Sequence, residues 1–283
     1  MGLRPVRPLD QPRGWAYALG AGILKPTLFS AVGHTWGGGE HVPATGGCVV
    51  ALNHVTKVDP LFAAHFLYDH GRLPRYLAKS GLFEVKGLGG FLHGAGQIPV
   101  QRESAGASAY AAAVAAVRAG ECVVVYPEGT ITRDPDLWPM TGKSGAARIA
   151  LATGCPVIPV AQWGAQDVLA PYARAPRLLP RKHVTVQAGP PVDLADLLDL
   201  AAGRDGAGGN DAAARAREAT HRIMDAVTLL LAGIRHEQPP SERFDPRAAG
   251  VSEFGRPEAV PPSDPPREAR GEDRPTTTDE EKA

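Results

Sequence analysis

Apolar positions along this chain fall into two patterns. Cys48-Val49-Val50-Ala51-Leu52, Cys122-Val123-Val124-Val125-Tyr126 and Val157-Ile158-Pro159-Val160-Ala161 are continuous apolar runs. Their β-branched residues and bounding turn signals predict strands buried on both faces. His183–Gln187 predicts a further strand, and Leu73–Ala78 a short one. Between these runs the pattern changes to helical spacing. Helices are expected after Asp59-Pro60, over 104–118 (capped by Ser104, stopped at Gly120), and over 142–153, 193–200 and 211–234. The last carries an apolar stripe at Ile223, Val227, Leu230 and Leu231. Residues 81–96 are apolar and punctuated by glycine, predicting a short helix with a close-packed or membrane-facing side. Strands separated by helices predict an α/β fold, a mainly parallel sheet flanked by helices.

The two ends differ from this middle. Residues 1–14 are rich in proline and arginine and read as irregular. Residues 15–36 are apolar and aromatic but broken at Lys25-Pro26, too short and glycine-rich to span a bilayer. They read either as membrane-interface helices, with Trp15 at the headgroup level and Lys25 snorkelling, or as a helix packed on the core. From Arg235 onward Pro, Glu, Asp and Arg dominate, predicting a disordered tail over 237–283 and one folded unit over 15–236.

The formal net charge over 283 residues is zero, but residues 235–283 hold 8 basic and 12 acidic side chains. The body is therefore mildly basic. That suits an anionic ligand or a membrane surface, and the excess is too small to predict nucleic-acid binding. Cys48, Cys122 and Cys155 are odd in number, lack metal-type spacing, and read as small buried residues of a reducing compartment. Arg4, Arg7 and Asp10 are followed by no apolar core with a cleavage pattern, so no signal peptide is predicted. His65 and His70 are five apart and do not share a helix face as metal ligands would. Gly142-Lys143-Ser144 lacks the earlier glycine of a phosphate-binding loop, since Leu137 stands there. No Gly-x-Ser-x-Gly elbow occurs.

The candidate chemistry lies where the first strand stops. Asn53 and His54 follow Leu52, and Asp59-Pro60 opens the next helix with Asp at the N-cap and Pro at the first helical position. A five-residue His-to-Asp interval across that corner lets the carboxylate reach one imidazole nitrogen and leaves the other free to take a proton. This is the orienter-and-base arrangement of nucleophilic and acyl-transfer sites, minus an enzyme nucleophile.

Four stretches resemble, in order, the blocks of the lysophospholipid acyltransferase family, most closely its 1-acylglycerol-3-phosphate O-acyltransferase branch. Asn53-His54 through Asp59-Pro60 is similar to the Asn-His-x4-Asp block, and Gly96-Gln97-Ile98-Pro99-Val100-Gln101-Arg102 to Gly-x5-Arg. Tyr126-Pro127-Glu128-Gly129-Thr130 is similar to aromatic-Pro-Glu-Gly-Thr, and Pro156-Val157-Ile158-Pro159-Val160 to the Pro-containing apolar strand. Thr56 stands where the family usually has Ser, and Ile131-Thr132-Arg133 replaces the more usual Arg-Ser. The resemblance implies a glycerolipid acyltransferase-like fold at the cytoplasmic face of a membrane. It implies transfer of a fatty acyl group from acyl-CoA or acyl carrier protein to lysophosphatidic acid. In that reading His54 is the base, Asp59 its orienter, and Arg102 a bidentate grip on the acceptor phosphate. Glu128, Gly129 and Thr130 help form the acceptor site, and Lys79 and Lys143 are second-rank phosphate or CoA contacts or else plain solvated lysines. No metal and no tightly bound cofactor are implied. The same chemistry on another lysophospholipid or a glycolipid, or a non-enzymatic lipid-binding adaptor of the same fold, are the alternatives.

Overall fold

The computed structural model describes residues 6–9, 11–100, 105–202 and 209–252. In chain order the elements are α1 (Trp15–Ala31), β1 (Val32–Gly37), β2 (Cys48–Leu52), α2 (Asp59–Asp69), β3 (Pro74–Lys79), α3 (Leu88–Gly94), β4 (Ile98–Val100) and α4 (Ala105–Arg118). They continue as β5 (Cys122–Val125), α5 (Gly145–Thr153), β6 (Val157–Trp163), α6 (Ala165–Val168), β7 (Lys182–Ala188), α7 (Ala195–Ala202) and α8 (Gly209–Arg235). The strands form one seven-stranded sheet in the order β1-β7-β6-β2-β5-β3-β4. Every neighbouring pair is parallel except β6 with β7.

The continuous apolar runs occupy the centre, as two-sided burial requires. All five residues of β2 and all four of β5 are buried. Alternate side chains point to opposite faces, so Val50, Leu52, Val124 and Ile158 join Phe62, Phe66 and Leu67 of α2 in one core. Val49, Ala51, Val123 and Val125 join α4, α5 and α8 in a second core across the sheet. Cys48 and Cys122 face each other across β2 and β5 as buried free thiols. β7, beside the edge strand, alternates instead: Val184, Val186 and Ala188 are buried and the residues between them are not.

Three expectations need correction. Residues 15–36 are not a helix pair: one helix runs through Pro26 and passes directly into β1, an edge strand of the sheet. Lys25 does not snorkel, because its ammonium is buried against Asp69 at 2.6 Å. Residues 237–252, expected within the tail, return to the body, where Thr141 N–H donates to the Phe244 carbonyl at 3.0 Å and Arg243 pairs with Asp225. The remaining tail, 253–283, lies outside the described residues. At the other end Arg7 bridges to His70, so part of the irregular N-terminus is tied to the end of α2.

Candidate active site

The carboxyl ends of β2, β5 and β6 lie side by side, and the loops leaving them build the site. Asn53, at the exit of β2, is locked to β6: its amide donates to the Gln162 carbonyl at 3.0 Å and accepts from Gln162 N–H at 2.9 Å. Gln162 returns a side-chain bond to the Asn53 carbonyl at 3.1 Å. Both are buried, and this exchange fixes where the chain leaves the sheet. The backbone of His54 is then held from both sides. Its N–H donates to Glu128 Oε1 at 2.8 Å, and its carbonyl accepts Thr132 N–H at 2.7 Å.

Asp59 is the first residue of α2 rather than its N-cap, which is Val58. Its carboxylate therefore turns back into the loop instead of capping the helix. Asp59 Oδ2 lies 2.9 Å from His54 Nδ1 and accepts the N–H groups of Val55 at 2.6 Å and Thr56 at 2.8 Å. A carboxylate has only acceptors to offer, so Nδ1 carries the ring proton and Nε2 is left as the basic nitrogen. Asp59 is fully buried. Burial pushes its carboxyl above the usual range, against the pull of the bonds from His54, Thr56 and Val55. The Thr56 hydroxyl donates to the Leu169 carbonyl at 2.6 Å, so the hydroxyl retained at this position ties the loop to the segment after α6.

Glu128 does not stand ready for a ligand. It is buried, and its two oxygens are taken by backbone N–H groups, His54 on Oε1 and Met140 on Oε2 at 3.0 Å. Burial raises its carboxyl to about 8, with the two N–H bonds opposing. Glu128 thus braces the loop that carries His54 through both oxygens. Gly129 has φ +73, and a Cβ there would stand 3.0 Å from Lys143 Nζ. The residue must be glycine to keep this turn, and Lys143 is brought over it, its N–H bonded to the Pro127 carbonyl at 2.8 Å. Thr130 is half-buried in the same turn. Arg102 and the side chain of Lys79 lie outside the described residues. Arg133 is buried, its guanidinium 4.8 Å from the centre of the Tyr172 ring, so it is spent on packing rather than aimed at solvent.

Tyr126 stacks on the imidazole of His54 with ring centres 4.3 Å apart and planes tilted by 29°. The arrangement holds the ring in the plane set by Asp59 and shields one face. Beside them opens a cavity of about 470 Å3 between α1, α2, β3 and α3, with His54 in its wall. Pro60, Leu61, Ala64, Leu77, Phe91 and Leu92 make it largely apolar, and Lys25, His65, Gln97 and several tyrosines are the polar residues in its wall beside His54. No Ser, Thr or Cys is found among the described residues that line it.

Residues 35–163 match the sequence profile of the Acyltransferase family. Over these residues, just under half of the chain, the sequence is similar to acyltransferase-family domains. The matched span holds the second half of β1, all of β2 through β6, and every residue of the His54 site so far described except Tyr17, Leu169 and Tyr172. The chain is 34% identical over 128 residues to a 1-acyl-sn-glycerol-3-phosphate acyltransferase of Bacillus subtilis (strain 168), covering 44% of this chain and 60% of that protein. It is 31% identical over 125 residues to the enzyme of the same name from Borreliella burgdorferi, covering 44% and 48%. The chain thus matches only about half the length of these relatives. The crystal structure of the 1-acyl-sn-glycerophosphate (LPA) acyltransferase PlsC from Thermotoga maritima superposes with a TM-score of 0.56 at 19% identity, over 77% of this chain and 79% of that one. The matched span and its flanking elements therefore share that protein's fold.

Gln162 and the backbone service of Glu128 are the parts of the His54 site that motif reading misses. Gln162 had a signal, being the one polar side chain in the apolar run of β6. Nothing local marks Glu128 as a backbone acceptor, since its partners lie 74 and 12 residues away.

Proposed function

We propose that this protein transfers a fatty acyl group from an acyl thioester, carried by CoA or acyl carrier protein, to the free hydroxyl of lysophosphatidic acid to give phosphatidic acid. The observation that carries this reading is His54, oriented by Asp59 and set in the wall of a largely apolar cavity. The acyl carbon arrives already activated as a thioester, so the reaction needs no enzyme nucleophile. His54 Nε2 takes the proton of the acceptor hydroxyl as its oxygen attacks the thioester carbonyl. The C–S bond breaks, and the imidazolium returns the proton to the departing thiolate. Asp59 holds the tautomer and stabilises the imidazolium between these events. The apolar cavity takes an acyl chain, and Lys143 over Gly129, with Arg102, supplies cations for phosphate groups.

No helix among the described residues is long and apolar enough to cross a membrane. α1 nevertheless presents Trp15, Leu19 and Ile23 outward at 61, 49 and 55% exposure, and Leu82, Val85 and Leu88 are exposed around the start of α3. This apolar face rests on the cytoplasmic surface of a membrane and lets a lipid chain reach the cavity between α1 and α3.

The test is acyl transfer from labelled oleoyl-CoA, and from acyl carrier protein, to a panel of lysophospholipids. Acylation of lysophosphatidate, lost in His54→Ala and weakened mainly in acceptor KM by Arg102→Ala, supports the proposal. Preference for another lysophospholipid would change the acceptor. Absence of transfer from either donor would reduce the assignment to a lipid-binding fold.

A further inference from the structure

The segment between α6 and β7 contains an exposed feature that the acyl-transfer reading does not use. Residues 168–192 include Arg174, Arg177, Arg181 and Lys182 and not one acidic residue. Arg174 through Arg181 are exposed without interruption, and at the tip Leu178 and Leu179 are 43 and 87% exposed. Exposed leucines scattered singly need no explanation, but two in succession, framed by cations and free of acids, form a small amphipathic hook.

The hook stands on a fixed base. Thr56 donates to the Leu169 carbonyl, the Tyr172 hydroxyl donates to the Ile131 carbonyl at 3.1 Å, and Arg177 N–H donates to the Val168 carbonyl at 2.6 Å. Two of these bonds reach loops that carry the His54 site. Its direction follows from register. Trp163, the last residue of β6, pairs with Thr185, so Lys182 lies three residues, ~10 Å, beyond the sheet edge at which His54 sits. Lys182 also pairs with Val32, the residue after α1 ends. The hook is therefore adjacent to the C-terminal end of the helix whose outward stripe is Trp15, Leu19 and Ile23.

We infer that residues 174–182 form a second membrane-binding element, the two leucines entering the interface while Arg174, Arg177, Arg181 and Lys182 contact anionic lipid headgroups. The inference deepens the membrane part of the proposed function and rests on it. With α1 and the hook both seated, two contacts fix the tilt of the domain, and the edge carrying His54 faces the lipid surface. Charge complementarity selects an anionic bilayer rather than a neutral one.

The test is co-sedimentation of the full chain with phosphatidylcholine vesicles, with and without phosphatidylglycerol, at two salt concentrations. Wild type is expected to bind the phosphatidylglycerol vesicles more tightly, with the excess weakened by salt. Leu178→Ser/Leu179→Ser should lower that binding by about tenfold or more, from two lost apolar insertions. Arg174→Gln/Arg177→Gln/Arg181→Gln should abolish the preference for anionic vesicles, each cation being worth about fivefold near the surface. All five positions are exposed, and unchanged melting temperatures confirm folding. Variants that bind as wild type does, or a wild type that ignores both vesicles, overturn the inference. So does loss of binding to acyl carrier protein with vesicle binding intact, which would make the hook a protein-docking loop. Hook variants that bind fully while lysophosphatidate is still acylated overturn this inference alone. Hook-dependent vesicle binding without any acyl transfer overturns the activity alone.

Discussion

Among the described residues two histidine–aspartate pairs use carboxylates from opposite ends of α2 and set their imidazoles in the wall of the same cavity, and the two are built differently. His54 meets Asp59 at 2.9 Å, and Asp59 is otherwise served by neutral backbone N–H groups. His65 lies 3.4 Å from Asp69, but Asp69 also holds the Lys25 ammonium at 2.6 Å and the Trp36 indole N–H at 3.1 Å. Around the second pair His34 packs 4.4 Å from Trp36 and 5.2 Å from His65. Burial, with His34 and Lys25 adding repulsion, lowers His65 to about 4 despite the attraction of Asp69. A histidine there has no proton affinity to offer near neutrality. The same two residue types at nearly the same spacing thus give an imidazole oriented by a carboxylate that otherwise holds only backbone N–H groups in one place, and a buried ion cluster in the other. Burial is the largest cause of the His65 shift, and the lysine already holding the carboxylate adds to it.

The sharpest way to break this comparison is to exchange the losses. His54→Ala should lower kcat by roughly 10²–10⁴-fold, whereas His65→Ala, measured with the same donor and acceptor, should stay within about tenfold. Equal losses would mean that the contrast between the pairs is not functional. The mirror image appears in stability. Lys25→Met strands the buried Asp69 carboxylate and should cost about 3–5 kcal/mol in denaturant unfolding. It should also raise the basicity of His65, visible as a titration moving upward in an NMR pH series. Titration at the original pH would show that Lys25 does not set it.

Glu128→Gln tests the supporting layer beneath His54 with a smaller effect. The amide can accept only one of the two backbone N–H groups and turns a donor toward the other, costing about 1–3 kcal/mol. The pH dependence has a defined sign. The folded carboxyl titrates at about 8 against 4.5 for the free group, so the fold binds the proton more tightly than the unfolded chain. Its contribution is complete below pH 4.5 and is lost as pH rises through 8. Wild type and Glu128→Gln should therefore converge in melting temperature between pH 5 and 8. A constant gap across that range would show that the carboxyl is ionised throughout. The smallest effect is expected at the cavity wall. Ala64→Leu adds bulk opposite the acyl chain and should shift preference toward shorter donors by a few-fold in kcat/KM, since each methylene is worth about 0.8 kcal/mol. An unchanged chain-length profile would place the acyl group elsewhere.

Much of the fold was legible because the central strands are buried on both faces, and that demand leaves short continuous apolar runs, rich in β-branched residues and bounded by turn signals. The edge was not legible. β1 reads Val-Gly-His-Thr-Trp-Gly, with glycine at both ends of its polar middle, and becomes a strand because β7 is there to pair with it. Proline at position 26 suggested a break, but Lys25 bound to Asp69 and β1 paired into the sheet hold the segments on either side of it. At the site, the spacing of His54 and Asp59 announced their contact, because five residues across one corner leave the pair little freedom. The same rule had nothing to say about Glu128 and Gln162, whose partners lie 74 and 109 residues away, or about Lys25 and Asp69, 44 apart. Short-range chemistry was written in the sequence. Which carboxylate serves an imidazole, which serves the backbone and which is neutralised by a lysine was decided only by tertiary structure, since burial and distant partners set the electrostatics of each.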